Sequence, residues 1–214
     1  MKNLMLIGKM CSGKTTIADA LVADDYEVIS LADPIKGVVW GMANGLSMVD
    51  LLQSLIFDLV DLTEVQKEEF IKVAKETAAI ESGGPKYRER LQFFGTEGGR
   101  DRVDKDIWIK CLLAKVQLDP KQAFVIDDCR FINEYEILKE HFSPIILHVA
   151  RLAQQERLVS LYGSYAPKIL THASELDYEL IKARADEGKC IHINSGLPLP
   201  VVMSALAEKI KGLI

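Results

Sequence analysis

No run in the sequence approaches the roughly 18 consecutive apolar residues of a membrane-spanning helix, and its short apolar stretches break at charged or glycine residues. The first of these, Leu4 to Ile7, is too short for the core of a secretion signal and ends in Gly8-Lys9. Cysteine is scarce. Cys11, Cys111, Cys129 and Cys190 form no C-x-x-C pair, and no Cys/His group has zinc-finger spacing. Reduced thiols in a cytoplasmic protein are the expectation. Broad positive charge is also missing. Lys plus Arg number 26 against 31 Asp plus Glu, a net charge of −5. A nucleic-acid polymer or an anionic membrane as partner is therefore not expected. Repeats and low-complexity segments are absent as well.

What is there is ordinary globular composition, 49% hydrophobic and 27% charged over 214 residues. Short apolar strands are predicted at Leu4–Ile7, Tyr26–Leu31, Ala123–Ile126, Ile145–Val149 and Ile191–Ile193. Helices are predicted from Thr15 to Ala23, through most of 35–81, and over 87–94, 106–116, 133–141, 174–185 and 200–210. Asp33 is expected to cap the helix that Pro34 opens, and Thr63 with Gln66 to form a capping box. Ser82-Gly83-Gly84-Pro85 is expected as a break, Thr96 to Arg100 as a glycine-rich loop, and 151–173 as irregular or lid-like. The alternation predicts an α/β domain, a parallel sheet with helices on both faces. In such sheets ligands gather at the carboxyl ends of the strands.

Gly8-Lys9-Met10-Cys11-Ser12-Gly13-Lys14-Thr15 matches G-x-x-x-x-G-K-[ST] between a predicted strand and a predicted helix. In that setting backbone N–H groups turn toward phosphate. Ser12, Gly13, Lys14, Thr15 and Thr16 are the candidate ATP ligands, with Lys14 on the β/γ oxygens. Thr15 and Asp127 are the candidate Mg²⁺ ligands, because Asp127 ends a buried strand; Asp128 is the alternate. No [NT]-K-x-D guanine signature follows, which argues against a GTPase. Lys86, Arg88, Arg90, Arg100 and Arg102 crowd one segment, as a site joining two polyanions would need. Trp40, Tyr87, Phe93 and Trp108 are candidates for stacking on a base.

Four stretches together resemble a bacteriophage-type deoxynucleoside monophosphate kinase. They are the phosphate loop through Thr16, Leu31-Ala32-Asp33-Pro34-Ile35-Lys36, Arg88 to Arg100 with Trp108 beyond, and Asp127-Asp128-Cys129-Arg130-Phe131-Ile132-Asn133-Glu134. His172-Ala173-Ser174-Glu175 is a weaker match. The resemblance implies a three-layer parallel-sheet P-loop kinase fold with a helical acceptor-binding insertion and a short lid. The core would cover about 1–34, 104–150 and 186–214, the acceptor region about 35–103, and the lid about 151–175. It implies transfer of the γ-phosphoryl group of ATP to a deoxynucleoside monophosphate with Mg²⁺, in the cytoplasm, the host's if the chain is phage-encoded. Lys9, Asp33, Lys36, Arg88, Arg100, Trp108, Arg130 and Glu134 would meet the acceptor. Lys14, Arg88, Arg130 and Arg151 would act in catalysis, with Arg157 a second lid arginine on ATP. A homodimer stays open, as do another small P-loop kinase (for nucleoside monophosphates or dephospho-coenzyme A) and a non-catalytic nucleotide-binding module.

Overall fold

The computed structural model describes residues 2–81, 87–163, 173–188 and 190–212. The expected break at 82–85, Lys86, Lys168 and His172 lie outside the described residues, as do the side chains of Ser174 and Glu175. The chain divides into two compact units, Met1–Ile29 with Lys121–Ile214, and Ser30–Pro120.

The first unit holds a five-stranded sheet in the order β2-β3-β1-β4-β5, with every pairing parallel. The strands are β1 (Leu4–Ile7), β2 (Tyr26–Ile29), β3 (Ala123–Ile126), β4 (Ser143–His148) and β5 (Ile191–Asn194). Every residue of β1 and β3 is buried. That is why these strands read as unbroken apolar runs: neither face meets water. Leu4, Leu6, Val125, Ile145 and Leu147 pack with Ile17, Ala18 and Leu21 of helix α1 (Lys14–Leu21). The same cluster takes Val202 and Leu206 from the last helix, Leu199–Lys211. Each large side chain buried there contributes about 1.5–3 kcal/mol. β1 is central, and the chain moves to opposite sides of it for β3 and β4. Its carboxyl end is therefore the switch point of the sheet, where such folds place ligands.

The second unit is helical. It comprises α2 (Asp33–Ala43), α3 (Met48–Leu52), α4 (Glu64–Ala79), α5 (Arg88–Gln92), a π-helical segment Phe93–Val103, and α6 (Ile107–Leu118). The Thr63–Gln66 capping box at the start of α4 is present. Asp33 is not the N-cap of α2: Ala32 is, and Asp33 is the first helical residue, its Oδ2 accepting from the Ser30 amide at 2.8 Å. Thr96 to Arg100 is not a loop, and Gly95 ends no helix. The backbone continues through both as wide π turns, with the Asp104 amide donating to the Gly99 carbonyl at 3.0 Å. The glycines serve close packing. A Cβ on Gly98 would lie 2.2 Å from Val73, and one on Gly99 would lie 2.3 Å from the Trp108 ring.

The remaining helices belong to the first unit: α7 (Ile132–Leu138), α8 (Arg151–Tyr162), α9 (Ala173–Glu187) and α10 (Leu199–Lys211). α8 overturns the expectation of an irregular stretch. From 151 to 162 no glycine or proline interrupts it, Gln154 and Leu158 at i,i+4 face inward, and Gly163 at φ 53° follows its end.

Candidate functional site: a phosphate loop and its supports

Gly8 leaves β1 where no side chain fits, because a Cβ there would lie 2.3 Å from the Ser12 hydroxyl and 3.2 Å from Leu147. Cys11 and Gly13 both take positive φ, 62° and 90°, which curls the loop back over the start of α1. Gly13 caps α1 with no side-chain acceptor. Amides at such a helix start are the groups that bind phosphate in a loop of this kind. Ser12 is fully buried, and its Oγ has no hydrogen-bond partner. The Lys14 ammonium folds over the loop and donates to the carbonyls of Gly8 at 2.6 Å and Lys9 at 3.0 Å. A loop with a glycine-lined cradle, an orphaned buried hydroxyl and a lysine on its lip fits a polyphosphate.

Thr15 Oγ1 donates to Asp127 Oδ2 at 2.6 Å. This joins the two residues named from sequence for Mg²⁺. A hydroxyl and a carboxylate side by side are hard oxygen donors of the kind Mg²⁺ takes alongside water and phosphate oxygens, so the residues present fit the ion.

Helix α8 supports the loop from outside, and sequence reasoning missed this. Gln154 is buried, and its amide donates to the Met10 carbonyl at 2.9 Å. Arg157 donates to the Cys11 carbonyl at 3.1 Å. The signal was the three-residue spacing of Arg151, Gln154 and Arg157, which puts them along one face of a helix. Arg151 borders a cleft of about 440 Å³ with Lys9, Gln154, Tyr178, Glu179 and Lys182. In it Lys9 is salt-bridged to Glu179 at 2.7 Å and lies 5.2 Å from the centroid of the Tyr178 ring. A second cleft, of about 620 Å³, runs along α1 and is bordered by Cys11, Gly13, Thr16, Arg157, Leu161 and Leu197.

Arg130 is exposed just past Asp127. Glu134, named from sequence as an acceptor ligand, is buried, and its Oε2 accepts from the amides of Arg130 at 2.8 Å and Phe131 at 3.0 Å. Its carboxylate thus holds the backbone that carries Arg130, a positioning role at the start of α7.

The other named residues lie in the helical unit. Lys36 is half-buried, 3.9 Å from Asp33. Arg88 is exposed and Arg100 half-buried. Arg90 is a structural residue, donating to the carbonyls of Ile80 and Ala78 at the end of α4. So is Arg102, which bridges Glu69 and Glu76 of α4. Trp108 is a correction. It is 5% exposed, its indole N–H donates to the Gly95 carbonyl at 2.7 Å, and its ring meets Phe70 and Phe94. It is a core residue. Trp40 and Tyr87 are exposed and Phe93 half-buried.

None of the four cysteines forms a disulfide. Burial pushes the Cys111 thiol up to about 12, and burial followed by the carboxylates of Glu134 and Asp128 raises Cys129. Both are inert thiols at neutral pH.

No family model matches the chain. Over 53 residues, 25% of its length, it is 43% identical to the deoxynucleoside-5'-monophosphate kinase of Escherichia phage T5. The aligned stretch spans about a fifth of that relative's length, 21%. Among solved structures, TT1252 from Thermus thermophilus superposes with a TM-score of 0.54 at 12% identity, covering 100% of both chains. A sugar kinase from Janibacter sp. HTCC2649 superposes with a TM-score of 0.50 at 15% identity, covering 99% of this chain and 95% of its own. The chain has the α/β fold of the P-loop kinases, and part of it is similar in sequence to a phage deoxynucleoside monophosphate kinase.

Proposed function

We propose that the chain is an ATP-dependent phosphotransferase that converts deoxynucleoside 5'-monophosphates to diphosphates. The observation that carries this reading is the Thr15–Asp127 contact beneath a phosphate loop whose lysine is on its lip. Nucleotide binding alone would not require a paired hydroxyl and carboxylate at that place. The partial likeness to a phage enzyme of that name supports the choice of acceptor.

A monophosphate has its second pKa near about 6, so its attacking oxygen is already largely ionised at neutral pH. The protein then needs no general base. It must align donor and acceptor and neutralise charge during an in-line transfer. Lys14 and the α1 amides bind the β- and γ-phosphates. Thr15 and Asp127 would hold Mg²⁺, which would supply charge neutralisation for the phosphates. The cleft along α1 has apolar walls of Leu161 and Leu197 and suits the adenine base. Arg157 borders that cleft, and Arg151 borders the other beside Lys9. Arg88 and Arg130, with Lys36 and Arg100, are proposed to grip the acceptor phosphate; resemblance carries those roles.

The test is ADP formation from ATP and Mg²⁺ across deoxynucleoside monophosphates, ribonucleoside monophosphates and dephospho-coenzyme A. Turnover with the first class alone is expected. Turnover only with dephospho-coenzyme A, or ATP binding with no transfer to any acceptor, would overturn the reading. Lys14→Ala should lower kcat by about 100-fold or more while the circular dichroism spectrum is unchanged; full activity in that variant is incompatible with the proposal.

A further inference from the structure

Far from the phosphate loop's lysine in sequence, three side chains of different chemistry converge. Asp186 lies in the last turn of α9, Cys190 directly precedes β5, and His192 is its second residue. Their donor atoms all lie within 4.8 Å of one another. His192 Nε2 is 3.0 Å from Asp186 Oδ1 and 3.2 Å from Cys190 Sγ, and Cys190 Sγ is 3.7 Å from Asp186 Oδ1.

Each donor is oriented by a further contact. The second oxygen of Asp186 is held by the Lys182 ammonium at 2.6 Å. The carbonyl of His192 accepts from Lys209 at 2.8 Å. His192 Nδ1 meets His148 Nε2 at 2.6 Å, with the two rings parallel to within 6°. Only one proton fits between those two nitrogens. When His192 carries it on Nδ1, Nε2 presents a bare lone pair toward a sulfur and a carboxylate oxygen. Without a metal the Cys190 thiol donates to Asp186 Oδ1 at 3.7 Å; once that proton leaves, three lone-pair donors face one point, an arrangement that a cation stabilises. A second contact on the far side of the donor is also how metal-bound histidines and carboxylates are normally held.

We infer that Asp186, Cys190 and His192 bind a zinc ion, with water completing a four-coordinate site. The donor set selects the metal class. A thiolate and an imidazole favour Zn²⁺ over Mg²⁺ or Ca²⁺, which take oxygen donors. One sulfur, one nitrogen and one carboxylate oxygen with an open position suit tetrahedral Zn²⁺. Binding exchanges the thiol proton for the metal, and that proton goes to solvent. The spacing, D-x-x-x-C-x-H, is not that of a zinc finger; the turn from α9 into β5 supplies the convergence. The ion would fasten this turn. It would also steady α9, whose residues Tyr178, Glu179 and Lys182 border the cleft beside Lys9.

The test uses the full chain under reducing conditions with saturating Mg²⁺, titrated with Co²⁺ as the spectroscopic probe and then with Zn²⁺. A thiolate-to-cobalt band and tetrahedral visible bands should saturate at one equivalent and be displaced by Zn²⁺. Cys190→Ser should lose the thiolate band, and His192→Gln should weaken binding by more than about tenfold. Circular dichroism checks that both variants fold, and Asp186→Asn stands in for either one that does not. The inference is overturned if the wild-type chain shows no thiolate band, or if the band survives in Cys190→Ser. Hydrogen bonding alone among these side chains is then the role of the cluster. The result is independent of the acceptor assay, since it reads metal coordination and not phosphoryl transfer.

Discussion

Gly8 shows how a single residue type fixes the phosphate loop. Its motif position is plain in the sequence, but the reason for glycine there emerges only from the 2.3 Å and 3.2 Å approaches of Ser12 and Leu147. A methyl group must displace a fully buried serine or the strand behind it. Gly8→Ala is expected to cost about 1–3 kcal/mol, the range for overfilling a packed site, and to raise the KM for ATP because the loop moves with Ser12. Thermal unfolding and ATP titration would check both effects; a variant with normal stability and normal KM would mean that Ser12 turns aside freely. Trp108 teaches the opposite lesson at the same scale. Its place beyond an arginine-rich run suggested a ligand contact, yet composition cannot distinguish a stacking tryptophan from a core one. The aromatic cluster with Phe70 and Phe94 and the carbonyl of Gly95 decide for core.

At the scale of elements, the sheet was largely legible. β1 and β3 run as predicted, since apolar runs bounded by glycine or acidic residues have few other solutions. The carboxyl-end placement of the phosphate loop and Asp127 followed from that, and so did their pairing. Two elements were not legible. Within the π-helical segment Phe93–Val103, Thr96 to Arg100 was read as a loop because Gly95, Gly98 and Gly99 weaken any helical pattern, and the packing partners Val73 and Trp108 lie outside the segment. α8 was missed for a different reason: its exposed Leu152, Val159 and Leu161 blur its amphipathic pattern. That helix is a support for the loop. Gln154→Ala removes its amide from the Met10 carbonyl and leaves a small void in a buried place. A loss of about 1 kcal/mol is expected from the hydrogen bond. If it falls on the nucleotide-bound form, the KM for ATP rises about fivefold with the acceptor KM unchanged. A change confined to kcat would show that α8 does not position the loop.

Over the whole molecule, the net charge of −5 conceals local concentration of cations. The phosphate loop carries Lys9 and Lys14, and α8 carries Arg151 and Arg157. The chain leaves the sheet after β2 and returns to it at β3, which pairs directly with β2, so the first unit is completed only by residues on both sides of the second. Within the second unit, acids and bases are paired for stability. Arg102 hydrogen-bonds Glu69 and Glu76, and these contacts hold both carboxyls below the usual glutamate value of 4.5. In the unfolded chain the two glutamates titrate near that ordinary value. As pH falls below it the unfolded state binds protons first, so the native advantage is fully present above it and is lost as pH falls through the depressed folded values. The pairs are largely solvated, so their contribution is modest. Both tryptophans, Trp40 and Trp108, lie in this unit, and their fluorescence therefore reports its unfolding. Arg102→Gln should unfold at lower urea than wild type at about pH 7, and that deficit should shrink as pH falls through the depressed folded values of the two glutamates. Added salt should shrink the neutral-pH deficit as well. A deficit that does not change with pH would mean that the arginine side chain stabilises by contact rather than by charge.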